Sequence, residues 1–126
     1  MEAADVIEIQ QLYARYGHVM DERDWEHLGE LFTEDCVFDA TALGVPLMEG
    51  LAAIADSTEN SPAAPLAHHV TNVYVASVHG EQARVQAKAI GLYSKGRAFS
   101  GVYDDSLVRT AAGWRIRRRV NRPAAA

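Results

Sequence analysis

A single cysteine, Cys36, in 126 residues excludes an internal disulfide and any cysteine-rich zinc site. The five histidines (His18, His27, His68, His69, His79) show no HExxH or equivalent spacing, so metal catalysis has no motif to rest on. A glycine-rich phosphate loop is missing too, and no cofactor is expected. No apolar run approaches the roughly 18 residues of a membrane span. The acidic start Met1-Glu2-Ala3-Ala4-Asp5 lacks the basic residues and apolar core of a signal peptide, so a cytoplasmic protein with no membrane role is the expectation. Basic charge is scarce: the formal net charge is -5, although Arg115, Arg117, Arg118, Arg119 and Arg122 bunch together. Nucleic-acid binding needs a basic footprint, and no nucleic-acid partner is expected.

What remains is one domain, 1–126, with an ordinary hydrophobic content of 48%. From Asp5 to about Met20, Ile9, Leu12, Tyr13, Tyr16, Val19 and Met20 recur at three- and four-residue steps, the pattern of an amphipathic helix. Asp5 and Glu8 suit its N-cap and capping box. Asp24 is placed to cap a short second helix carrying Trp25, Leu28, Leu31 and Phe32. A strand is expected over Asp35 to Thr41, with Leu47-Met48 as a short hairpin partner and a third helix from Gly50 to about Asp56. Ser57 to Pro65 reads as a polar loop or lid. Four long strands follow, Leu66–Val78, Ala83–Tyr93, Ala98–Arg109 and Trp114–Asn121, joined by hairpin-short connections and so antiparallel. Helices first and a curled antiparallel sheet after them make the class α+β.

Alternation along the strands isolates polar residues on apolar faces. His68, Val70, Asn72 and Tyr74 share one face of the first long strand, and His69, Thr71, Val73 and Val75 the other. The two adjacent histidines therefore cannot serve one site from this strand. Asp105 lies between Tyr103 and Leu107, and Arg118 between Ile116 and Val120, with Arg119 and Asn121 on the opposite side. A buried charge needs a partner, and hairpin neighbours can bring Asp105 and Arg118 together. That pair reads either as an internal tie that orients the sheet or as a ligand contact through Arg118. Asp21, after the first helix, and an inward His68 make a possible combination: a carboxylate that accepts from one imidazole nitrogen raises the basicity of the other. Tyr16 could add a phenolic hydroxyl that polarises a carbonyl or protonates a leaving oxygen.

Three stretches carry a family resemblance: Ile9-Gln10-Gln11-Leu12-Tyr13-Ala14-Arg15-Tyr16, Asp21-Glu22-Arg23-Asp24-Trp25 and Leu31-Phe32-Thr33-Glu34-Asp35. With His68-His69-Val70-Thr71-Asn72 and Gly113-Trp114-Arg115-Ile116, the chain resembles the nuclear transport factor 2-like superfamily, closest to its SnoaL-like branch. That branch includes polyketide cyclases, scytalone dehydratase, a bile-acid dehydratase and a hexachlorocyclohexane dehydrochlorinase. The resemblance implies a cone-shaped α+β barrel, with N-terminal helices closing a pocket inside a strongly bent sheet. It implies a catalytic pair on His68 and Asp21, with Tyr16 in the position of the bile-acid dehydratase tyrosine. Scytalone dehydratase and the dehydrochlorinase carry longer C-terminal segments that build trimers, so a homodimer is expected here.

The function these readings point to is a cofactor-independent lyase, isomerase or cyclase acting on a small apolar or polycyclic, oxygenated molecule. His68, Asp21 and Tyr16 would be catalytic. Tyr13, Met20, Trp25, Phe32, Phe38, Tyr103, Asp105, Leu107 and Arg118 would line or contact the substrate. A non-catalytic binding or assembly module on the same fold is the competing reading. An epoxide hydrolase using Asp39, Arg118 and Asp105 is a third.

Overall fold

The computed structural model describes residues 1–62 and 64–124. Ala63, within the expected loop, and Ala125 and Ala126 of the alanine tail lie outside the described residues. Helix α1 (Ala3–Asp21) buries Ile9, Leu12, Tyr13, Tyr16, Val19 and Met20, the stripe its spacing predicts, and Gly17 besides. Its cap differs from expectation. Glu2 is the N-cap and Asp5 the third helical residue, so the capping box is formed by Glu2 and Asp5 rather than by Asp5 and Glu8. The reason is tertiary: Asp5 also accepts from Arg109 Nη1 at 2.7 Å and from Trp114 Nε1 at 3.1 Å. Those bonds, with the Glu2 backbone N–H, hold its carboxyl down at about 2.

A 3-10 turn, Trp25–Glu30, follows α1. Next come β1 (Phe32–Asp39), β2 (Met48–Glu49) and α2 (Leu51–Asn60), so much of the expected loop is helical. The meander is β3 (Ala67–His79), β4 (Gln82–Leu92), β5 (Ala98–Thr110) and β6 (Gly113–Pro123). The class is α+β, as the element order predicts. The sheet, ordered β2-β1-β6-β5-β4-β3, is mixed rather than wholly antiparallel, because β1 joins β6 in parallel. Its two ends, β2 and β3, do not meet, so no barrel closes.

Two bulges reverse faces that strict alternation assigns. In β3, Thr71 pairs with Lys88 and Tyr74 with Gln86, so β3 carries one extra residue near Asn72, whose φ is 55°. Beyond it Val73 and Val75 pack against the core, while Tyr74, expected inside, is 55% exposed. In β6, Ser106 pairs with Arg118 and Leu107 with Ile116, leaving Arg117 as the extra residue. Arg119 therefore takes the inward place expected for Arg118. Asp105 pairs with Arg119, not Arg118, and both are fully buried. The guanidinium is bidentate, Nε to Oδ1 at 3.0 Å and Nη2 to Oδ2 at 2.8 Å, and Tyr13 donates its hydroxyl to the same carboxylate. Arg119 also lies over the rings of Tyr103 at 3.7 Å and Tyr16 at 4.4 Å. Burial works against its charge, but Asp105 outweighs it and holds the guanidinium well above its usual range. Arg118 faces water and reaches Asp39 at 3.3 Å.

Two stability measurements follow. Asp105→Ala leaves Arg119 buried and unpaired, and should cost about 3–5 kcal/mol in chemical denaturation. The double variant Asp105→Leu/Arg119→Met should recover most of that loss, because it removes both charges. For Asp5, a folded-state value below the unfolded one means its contribution is present above about pH 4 and fades as pH falls toward about 2. The Tm gap between wild type and Asp5→Asn should therefore be full at neutral pH and narrow steadily in acid.

Candidate active site

The site starts where α1 touches β3. A Cβ on Gly17 would stand 2.8 Å from the backbone oxygen of His68, so only glycine lets the helix come this close. One turn on, Asp21 ends the helix and faces the same strand. A carboxylate at the negative end of a helix dipole needs compensation. It finds it in His68: the backbone N–H donates to Oδ1 and Oδ2 at 3.0 Å each, and Nδ1 lies 2.7 Å from Oδ1. The side chains of His68 and Asp21 are 11% and 26% exposed, so the contact is sheltered and still reachable. An ionised carboxylate only accepts, which places the imidazole proton on Nδ1 and leaves the lone pair on Nε2. His69 points to the exposed side.

His68 lines a cavity of about 140 Å³, close to what one benzene-sized ring occupies. All six strands contribute to its wall, including Phe38, Met48, Ala89, Phe99, Tyr103 and Asn121. Gly91 sits opposite His68 in register, and its missing side chain makes room for the Pro65 ring, which a Cβ there would meet at 3.2 Å. Helix α2 and the segment after it close one side with Ile54, Ser57, Thr58, Ser61, Ala64 and Pro65. Tyr16 lines the cavity with its ring edge-on to His68, centroids 5.7 Å apart. Burial raises the Tyr16 and Tyr103 hydroxyls above their ordinary range, so both keep their protons.

Of the residues the sequence assigned to the site, His68, Tyr16, Met20, Phe38 and Tyr103 line this cavity, and Asp21 holds His68 from behind. Six others do not line it. Tyr13, Asp105 and Leu107 are sealed in the core, with Tyr13 and Asp105 committed to each other. Phe32 packs behind Tyr16. Trp25 is spent on a 2.9 Å bond to Glu59, and the bulge turns Arg118 outward. Asp39, Arg118 and Asp105 do not converge either, since Arg118 meets Asp39 at the surface while Asp105 belongs to Arg119. Asn121 was missed because strict alternation puts it outside, and Gly17 because a helical glycine has no pattern of its own. Among the described residues no cluster of three or more His, Cys, Asp or Glu is placed to hold a metal, and no helix is long and apolar enough to cross a membrane.

Comparison with known proteins agrees with this architecture. A scan of family models matches the SnoaL-like domain over residues 1–120. An NTF2-like protein with a cystatin-like fold from Novosphingobium aromaticivorans superposes with a TM-score of 0.84 at 30% identity, covering 98% of this chain and 84% of that one. A scytalone dehydratase-like protein of the same organism gives a TM-score of 0.75 at 26% identity, covering 99% and 89%. The uncharacterized Mycobacterium tuberculosis protein Rv2910c is 30% identical over 131 residues, 94% of this chain and 85% of that protein. The fold is NTF2-like. Within it, the chain belongs to the SnoaL-like domain family.

The fit of α1 on β3 is testable without a substrate. Alanine for glycine inside a helix normally stabilises by about 1 kcal/mol. Gly17→Ala should instead lower Tm and speed amide hydrogen exchange at His68, because the new methyl pushes Asp21 away from that N–H.

Proposed function

We propose that the chain is a cofactor-independent lyase, isomerase or cyclase for a small oxygenated ring compound. The observation that carries this reading is the 2.7 Å contact between His68 Nδ1 and Asp21 at the wall of an otherwise mostly apolar cavity. Nε2 takes a proton from carbon next to a carbonyl. The electrons move toward the carbonyl oxygen, where Tyr16 donates a hydrogen bond, and the imidazolium then gives its proton to a leaving hydroxyl, to the far carbon of a shifted double bond, or to the oxygen of an internal electrophile that the carbanion attacks. Asp21 stabilises the imidazolium without taking its proton. The mostly apolar lining of the cavity strengthens each of these interactions. The cavity volume favours one ring inside, with any further ring reaching toward the mouth. The likeness to a scytalone dehydratase-like protein supports elimination as the first chemistry to try.

The test is turnover of a panel of small cyclic β-hydroxy ketones, read by the absorbance of the enone that dehydration forms. His68→Ala and Asp21→Asn should each lower kcat by about 10²–10⁴ while the fold persists. Full activity in either variant would falsify the dyad; ligand binding without consumption by the wild type would leave a binding module.

A further inference from the structure

Among the described residues, three buried side-chain polar atoms lack a hydrogen-bond partner: Thr33 Oγ1, Arg119 Nη1 and Asn121 Oδ1. Only Asn121 belongs to the cavity wall. A buried carboxamide oxygen left bare costs free energy, and such groups are seldom without a purpose. Its surroundings are arranged around it. Gly101, on the neighbouring strand, carries no Cβ; one there would stand 3.0 Å from Oδ1 and 3.2 Å from the Phe99 ring. Tyr103, paired with Asn121 in register, forms the adjoining wall. The strand cannot turn Asn121 away, because Arg119, two residues before it on the same face, is locked to Asp105. Asn121 stands on β6, three strands across the sheet from His68 on β3. The Asn121 carboxamide is thus a further polar group of the cavity wall, away from the catalytic pair and unused by the mechanism above.

We propose that Asn121 is a specificity-determining residue that binds a hydroxyl group on the occupant of the cavity, selecting hydroxylated rings over apolar rings of equal size. A hydroxyl both donates and accepts, so it suits the carboxamide in either orientation. A site built to bond a hydroxyl discriminates against the analogue that lacks it, because its own polar group is then left unpaired. The inference rests on the cavity being the ligand site, as the proposed function has it, but it is read by binding and does not depend on turnover.

The experiment compares p-cresol with p-xylene, which differ by a hydroxyl in place of a methyl, by calorimetry or ligand-detected NMR. p-Cresol loses more hydration on entering an apolar cavity, so a preference for it has to come from a bond made inside. Wild type should bind p-cresol at least about tenfold more tightly than p-xylene, the scale of one hydrogen bond. In Asn121→Leu that preference should shrink to within about twofold while p-xylene still binds, which also reports that the cavity is intact. Gly101→Ala, which crowds Oδ1 without removing it, should weaken the preference as well and serves if the leucine variant does not fold. His68→Ala should keep the preference. Equal binding of the two ligands by wild type overturns the proposal, as does a preference that survives in Asn121→Leu or disappears in His68→Ala. Inactive but hydroxyl-selective protein would sink the catalytic reading and leave this one standing.

Discussion

One close approach governs the molecule: α1 lies on β3 with no side chain between Gly17 and the His68 carbonyl. That contact brings a helix-terminal carboxylate within reach of both a backbone N–H and an imidazole nitrogen. The two sorts of bond do different work. The backbone bonds fasten the end of α1 to the sheet, and the Nδ1 bond fixes which imidazole nitrogen is basic. Packing and imidazole orientation are thus joined in one carboxylate, and a change that loosens the helix also frees the imidazole.

Behind the cavity, a second buried network gives that contact a rigid support. Arg119 is bidentate to Asp105 and stacked among aromatic rings, three of which, Tyr16, Phe38 and Tyr103, also line the cavity. A buried pair of this kind adds little net stability compared with an apolar replacement, yet it fixes orientation. Here it holds β5 and β6 in one register through the bulge at Arg117. The same bulge decides which side chains point inward, turning Arg119 into the core, Asn121 toward the cavity and Arg118 out.

Legibility from the sequence follows the same line. Helical spacing in α1 and turn-bounded runs in the meander were enough to place every long element, since each follows from local periodicity. Strand alternation separated His68 from His69, the family resemblance chose His68 as the inward one, and the choice holds because His68 precedes the first bulge. Everything past a bulge was not legible: Tyr74, Arg118, Arg119 and Asn121 were all assigned to the wrong face, since one extra residue inverts a period of two. The parallel β1–β6 pairing could not be read either, because it joins the first strand of the chain to the last, with no short turn between them. The pairing of His68 with Asp21 came from family resemblance rather than spacing, and Gly17, which makes the contact possible, left no trace in the pattern. Residues such as Tyr13, Trp25 and Leu107 were assigned to the pocket on apolar character alone, which does not distinguish a core wall from a cavity wall.

The most direct test of the central claim is the tautomer of His68, read from its ring 15N shifts in the neutral imidazole of wild type and Asp21→Asn. The account predicts a proton on Nδ1 and a bare Nε2 in the wild type, with that preference lost when the carboxylate becomes an amide. A proton on Nε2 in the wild type, or a tautomer indifferent to the substitution, would contradict it.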